Sequence, residues 1–236
     1  MRLERLELLD VYARALPERL MRLVGFPLAR HMNTADAMMF ESARMVNVAF
    51  AYTHGEGLAG DYFEFGVYRG RTFVEAWKAS ERYGGDRRLH ALDSFAGLPG
   101  SEGPFRQGDL AASREAFEKV LRANRVPSNA VTITEGFFED TLADADPLPD
   151  TKAAIAWVDC DLYESTVPVL RYLTGKLADG AVLVFDDWYF HHADPARGEQ
   201  RACREWLADN PGLELVPYRP LHWAGQSFIV RRAPGA

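Results

Sequence analysis

Two acidic clusters, Asp159-Cys160-Asp161 and Asp186-Asp187, hold the residues of this chain best suited to chemistry. Each closes an apolar run that reads as a buried strand, Ala154-Ile155-Ala156-Trp157-Val158 before the first and Ala181-Val182-Leu183-Val184-Phe185 before the second. An unpaired carboxylate taken out of water is costly, so acids at two strand ends need a cation, shared protons or strong donors. Ligands bind at the carboxyl ends of strands in open α/β sheets, and a divalent metal beside a bound substrate fits that position. Mg²⁺ prefers oxygen ligands in octahedral array, which carboxylates and two vicinal hydroxyls of an acceptor can supply. Residues i and i+2 of a strand share a face, so Asp159 and Asp161 can flank one site. A neighbouring strand lies about 4.8 Å away, close enough for Asp186 or Asp187 to share a cation with Asp159. Taken singly, each acid has a plainer reading as a cap, Asp161 for the helix that starts near Ser165 and Asp186 or Asp187 for the segment that follows.

A second constellation lies upstream. Glu64-Phe65-Gly66-Val67-Tyr68-Arg69-Gly70 puts an acid and two glycines at a strand-to-helix turn. Glycine lets the backbone approach a ligand closely. The dinucleotide fingerprint needs G-x-G-x-x-G around a pyrophosphate. Here the acid precedes the glycine and suits a cationic ligand such as an amino-acid ammonium, which favours S-adenosylmethionine over NAD. Asp93 follows Gly66 by 27 residues, one βαβ step, where a Rossmann-type fold sets an acid on ribose hydroxyls. Its plainer role is to cap the next segment. His191 and His192 follow the double Asp and read as solvent-facing or substrate-contacting. Cys160 reads as a small buried residue, and His222-Trp223 either lines an acceptor pocket or packs.

The elements that must position these residues are legible as alternating patterns. Residues 1–55 read as helical, with Pro17 and Pro27 as punctuation and a Met-rich stretch from Met38 to Phe50 that is either core or a cap over substrate. Strands follow at 61–65, 89–92, 131–134, 154–158 and 181–185, interleaved with helices at about 71–83, 111–124, 165–178 and 196–209. Residues 97–110 form a long loop rich in Gly, Pro and Ser, and long loops in compact domains are functional or disordered. Strands at 213–219 and 226–232 close the chain as an antiparallel return. Repeated βαβ units predict an α/β fold with a mostly parallel sheet covered on both faces by helices. The expected division is an N-terminal helical cap, 1–55, and a catalytic domain, 56–236.

Composition narrows the function classes. A formal net charge of −7 over 236 residues is the wrong sign for a nucleic-acid footprint. Two cysteines, Cys160 and Cys203, give no disulfide framework, so a cytoplasmic setting is expected. The first thirty residues mix charges among leucines and predict neither a signal peptide nor a membrane span. Their apolar helices make a homo-oligomer plausible.

Four segments carry a resemblance: 63–70 (FEFGVYRG), 92–99 (LDSFAGLP), 159–166 (DCDLYEST) and Asp186-Asp187-Trp188. Together they are similar to the macrocin O-methyltransferase (TylF-type) family, from about residue 33 to the C-terminus. The resemblance implies a Rossmann-like class I methyltransferase with a seven-stranded sheet that methylates deoxysugar hydroxyls during antibiotic maturation. It implies that Asp159, Asp186 and Asp187 hold Mg²⁺ and that Asp161 is the general base. It places Glu64, Gly66, Tyr68, Arg69, Asp93, Ser94 and Asp159 around S-adenosylmethionine, with Gly136, Phe137 and Phe138 flanking the adenine. The acceptor would be a glycoside or sugar with vicinal hydroxyls. Cys160 departs from the family, which often has Gly there. Two rivals share parts of the pattern. In haloacid-dehalogenase-type phosphatases Asp-x-Asp follows the first strand, whereas here it follows the fourth. Catechol-type O-methyltransferases typically carry Asp-Asn where this chain has Asp186-Asp187.

Overall fold

A computed structural model of the chain describes residues 34–143 and 146–233. Its elements, in order, are α1 (Thr34–Gly55), β1 (Asp61–Phe65), α2 (Arg71–Arg82), β2 (Leu89–Asp93), α3 (Arg114–Ala123), β3 (Val131–Glu135), α4 (Phe138–Thr141), β4 (Ala153–Val158), α5 (Tyr163–Lys176), β5 (Leu177–Phe185), α6 (Gly198–Asp209), β6 (Leu213–Pro220) and β7 (Gln226–Arg232). The seven strands form one sheet in the order β3-β2-β1-β4-β5-β7-β6. All neighbouring pairs are parallel except those made by β7, which runs antiparallel to both β5 and β6. The order reverses between β1 and β4, and that switch point is where open α/β sheets bind ligands.

The period-2 alternation of a strand divides the core into two layers. Tyr62, Leu89, Ala91, Ile155, Trp157, Val182 and Val184 face one way, against Phe50 of α1, Phe73 of α2 and Phe117 of α3. Phe63, Phe65, Ala156, Val158, Leu183 and Phe185 face the other way, against Leu170 and Leu173 of α5 and Trp206 of α6. Burying these rings and branched chains removes each from water at roughly 25 cal/mol per Å², the main force holding helices to sheet.

The expected elements recur with small shifts at their ends, and two departures have clear causes. The fifth strand starts at Leu177, not near 181, and the preceding helix stops at Lys176. Leu177 pairs with Ala153 while Val182 pairs with Ile155, so five steps along β5 match two along β4. Gly180, at φ +86, takes the backbone turn such an irregularity needs. The second departure concerns the N-terminal division. Met45, Val46, Ala49 and Phe50 of α1 are buried in the core of the sheet layer. Residues 41–236 form one compact unit, which includes most of α1. The expected cap over residues 1–33 lies outside the described residues. Among the described residues, no helix is long and apolar enough to cross a membrane.

Candidate active site at the switch point

The two acidic clusters meet because β4 lies between β1 and β5 in register. Phe65 pairs with Val158, and Val158 with Phe185, so the residues after each strand emerge side by side. Backbone bonds continue one residue further, with Asp159 N donating to Phe65 O (2.9 Å) and Asp186 N to Val158 O (2.9 Å). Asp159, Asp161 and Asp187 each present a carboxylate oxygen, all within 4.8 Å of one another. Opposite ligands of Mg²⁺ are about 4.2 Å apart given bonds near 2.1 Å, so these three acids suit one cation.

This set differs from the one the resemblance implied, Asp159 with Asp186 and Asp187. Strand alternation alone would pair Asp159 with Asp186, since both continue the face of Trp157 and Val184. The strand ends at Phe185, however, and beyond it the chain brings Asp187 to Asp159 and Asp161. Asp186 takes a different partner, its Oδ2 facing His222 Nε2 at 3.3 Å. Ala224 N donates to His222 Nδ1 (3.1 Å), which leaves Nε2 as the protonated nitrogen that donates to Asp186.

Asp161 joins the cluster through an unusual backbone. It sits at φ +59, in a γ-turn closed by Leu162 N donating to Cys160 O (2.6 Å). Non-glycine residues in this region are strained and concentrate at functional sites. Asp161 does not cap α5: Leu162 holds the N-cap position and no side chain bonds there. Burial, then the neighbouring Asp186, push its carboxyl up to about 7. Burial also drives Asp159 and Asp187 well above the ordinary carboxylate range, with the surrounding acids adding to the effect.

A fifth acid completes the enclave. Glu199, in the first turn of α6, is 1% exposed and accepts a hydrogen bond from Asp187 N (3.0 Å). Burial, then Asp186 and Asp159, raise its pKa well above the usual value. Among the described residues no donor reaches Glu199 Oε1 or Asp187 Oδ2, although both are buried. Buried polar atoms are almost always satisfied, so these orphans mark where a cation or proton belongs. Sequence reading passed over Glu199. Its spacing to Ala202, Cys203 and Trp206 puts it on the buried face of the helix, which was the available signal.

The cofactor turn abuts this cluster. Gly66 has φ +85, and a Cβ there would lie 1.9 Å from Asp159 O, so only glycine fits between β1 and β4. Gly70, at φ +77, is the N-cap of α2. Glu64 is 2% exposed and accepts a hydrogen bond from Tyr62 Oη, and burial raises its pKa well above the carboxylate norm. A buried acid of this kind suits the ammonium of an amino acid. Asp93 Oδ2 accepts from Val67 N (2.7 Å) and Tyr68 N (3.0 Å), and its Oδ1 accepts from Phe95 N (2.7 Å). Asp93 therefore first organises the turn, which leaves about one of some four lone-pair positions for a ribose hydroxyl. Ser94 is spent on a turn, donating to Gly97 O and accepting from Ala96 N. Tyr68, at φ +45, is 39% exposed with the Arg69 guanidinium 5.0 Å from its ring centre. Gly136, at φ +139, turns the chain after β3, and Phe138 packs edge-on against Phe65 at 5.9 Å. Phe137 holds the N-cap position of α4.

Glu102 fastens the 97–110 loop to the site. Glu102 Oε2 accepts from Tyr163 N (2.8 Å) and Oε1 from Gly198 N (3.1 Å), the first residues of α5 and α6. Its carboxylate thus caps two helices at their positive ends. His191 Nε2 lies 3.7 Å from Glu102 Oε1.

Sheet order, the switch-point turn and the acids at the strand ends define the Rossmann-like class I methyltransferase architecture. The chain belongs to the macrocin O-methyltransferase (TylF) family, whose model matches residues 29–205. It is 32% identical over 170 residues to the rhamnosyl-tetracenomycin C 4′-O-methyltransferase of Streptomyces olivaceus, covering 66% of this chain and 60% of that one. It is 31% identical over 151 residues to the demethyldecarbamoylnovobiocin O-methyltransferase of Streptomyces niveus, covering 57% and 55% respectively. The matches thus span less than two thirds of the length of these relatives. Among solved structures, the calicheamicin methyltransferase CalS11 superimposes with a TM-score of 0.65 at 25% identity, over 94% of this chain and 90% of that one.

Proposed function

We propose that this protein transfers the methyl group of S-adenosylmethionine to a sugar hydroxyl of a natural product or its precursor, with Mg²⁺ or a similar divalent cation at the acid cluster. The observation that carries the reading is the juxtaposition of three carboxylates within 4.8 Å with a glycine turn whose Cβ position lies 1.9 Å from Asp159 O. A cation and a cofactor amino acid can therefore sit side by side. The relatives' names, which specify methyl transfer to a rhamnosyl group and to a novobiocin intermediate, support the same class of acceptor.

The residues divide the work as follows. Glu64 receives the cofactor ammonium, and the Gly66–Gly70 turn accepts its backbone-like portion. Asp159 and Asp187, common to the expected and observed sets, hold the cation. That cation, when bound, orients the acceptor oxygen and lowers the pKa of its hydroxyl. Asp161 takes the hydroxyl proton as the oxygen attacks the methyl carbon and the sulfur leaves as a neutral thioether. Asp186 completes the shell or steadies it through His222. We further propose a cytoplasmic, homo-oligomeric enzyme.

Methyl transfer to a panel of glycosides, nucleotide-linked sugars and catechols, with Mg²⁺ and with excess EDTA, tests this reading. Asp159→Asn and Asp187→Asn are expected to lose turnover by at least about 100-fold while keeping cooperative thermal unfolding. Asp161→Asn separates base from ligand, since a base loses kcat while titrated Mg²⁺ affinity is retained. Full activity of either metal-site variant in EDTA would overturn the metal assignment.

A further inference from the structure

We infer that Glu199 and Gln200, adjacent residues in the first turn of α6, are positioning residues for the proposed cation site. Together they hold the chain after β5 out of the sheet and so turn Asp187 toward Asp159 and Asp161. The inference rests on the metal reading above and says what decides which aspartate serves it.

The sheet by itself would place these aspartates differently. Asp186 N still serves the ladder with β4, donating to Val158 O (2.9 Å). On its other side β5 pairs with β7, in a register that sets Val184 against Ser227 and Phe185 against Gln226. Two residues further, the same register would set Asp187 against Ala224 and give its N–H the Ala224 carbonyl. That carbonyl instead accepts from Tyr189 N (2.6 Å), so Asp187 and Trp188 stand out of the ladder as extra residues. Extra residues of this kind bend a strand and re-aim its side chains, and they are common beside active sites.

The displaced peptide groups need partners, and α6 supplies them. Glu199 Oε2 accepts from Asp187 N (3.0 Å), and Gln200 Nε2 donates to Trp188 O (2.6 Å). One helix residue thus takes an N–H of the displaced pair and the next takes a C=O. Phe190 N closes the turn on Asp187 O (3.0 Å). Buried backbone groups left unpaired are costly, so the displacement persists only while its partners are in place. Glu199 is 1% exposed and Asp187 8%, which leaves little room for water to substitute. The clamp also stands on a fixed base. Gly198 N donates to Glu102 Oε1 (3.1 Å), and a Cβ on Gly198 would lie 2.9 Å from His191 Cδ2. The helix therefore begins at a set distance from the turn that it grips.

Glu199 acts through Asp187 and not as a ligand of the same cation. The carboxylates with oxygens within 4.8 Å of one another are those of Asp159, Asp161 and Asp187, and Glu199 is not among them. Removing a partner that orients a metal ligand typically costs about 10–100-fold in metal affinity.

The test is calorimetric titration of Mg²⁺ into metal-free wild type, Glu199→Gln, Glu199→Ala and Gln200→Ala, with melting temperatures recorded in EDTA. Glutamine keeps an oxygen for Asp187 N, so Glu199→Gln is expected to bind Mg²⁺ within about 3-fold of wild type. Glu199→Ala and Gln200→Ala are each expected to bind it roughly 10–100-fold more weakly. A Glu199→Gln protein that binds as weakly as Glu199→Ala would make Glu199 a ligand or a required charge and overturn the positioning role. Alanine variants that bind as wild type would overturn it as well. Should Glu199→Ala fail to fold, Gln200→Ala decides alone, because it removes the other half of the clamp. Failure of the metal reading would show differently, as no Mg²⁺ binding by wild type, and would take the clamp with it.

Discussion

Asp161, Asp159, Asp187 and Glu199 all ionise with more difficulty in the fold than in the unfolded chain, because burial and mutual repulsion oppose their charge. Without metal, the native state binds more protons than the unfolded state from the ordinary carboxylate pKa of about 3.9 upward. For Asp161 that window closes near its folded value of about 7. The sign follows: stability of the metal-free protein falls as pH rises through this window, and a bound divalent cation offsets the fall. Melting temperature measured against pH in EDTA should decline, and the gain from Mg²⁺ should be larger above neutrality than in acid. A flat or rising EDTA profile contradicts the cluster as described. At this scale, most of the acids were legible in the sequence because charged residues closing apolar strands are physically anomalous. Glu199 was not, since an acid in the first turn of an amphipathic helix is ordinary. The partner of Asp186 was not either, because His222 reaches it only through the return of β7.

The 97–110 loop depends on a single carboxylate for its attachment to two helices. Glu102 satisfies the first N–H of both α5 and α6, so Glu102→Ala uncaps both at once. A lost cap costs about 1 kcal/mol, and two lost together about 2 kcal/mol. Denaturant melts should show this loss, and trypsin should cut the loop at Arg106 faster in the variant, with Glu102→Gln in between. Unchanged melts and unchanged cleavage would remove Glu102 from this role. Sequence alone marked the segment as a long loop with functional weight, yet a tertiary cap sixty or more residues from its helices leaves no local signature. The same holds for the start of β5. Ala178-Asp179-Gly180 reads as a loop, and only its pairing beside β4 shows that the strand has already begun.

For the molecule as a whole, the proposed cofactor and metal sites lie at the switch point that joins the two halves of the sheet. Ligands that bind only the folded state stabilise it by mass action, about 2.7 kcal/mol at a hundredfold excess over Kd. For a chain of this size that corresponds to a rise in melting temperature of roughly 5–10 °C. S-adenosylmethionine should give such a rise, and its absence at saturating concentration would remove the cofactor assignment. The mostly parallel seven-stranded sheet with its antiparallel return followed from the repeated βαβ pattern together with the family motifs, whereas the layer to which α1 belongs did not. Its Met-rich face suits a lid as well as a core, and only the burial of Met45 to Phe50 decides for the core. The way the chain leaves β5, with Asp186 toward His222 and Asp187 toward the proposed cation site, has a consequence for rebuilding this fold. Removing one residue from β5 would carry Asp187 into the place of Asp186 and Trp188 into that of Asp187, and the proposed metal site is expected to be lost. In chimeras between relatives, this strand and the two aspartates after it must be carried across whole.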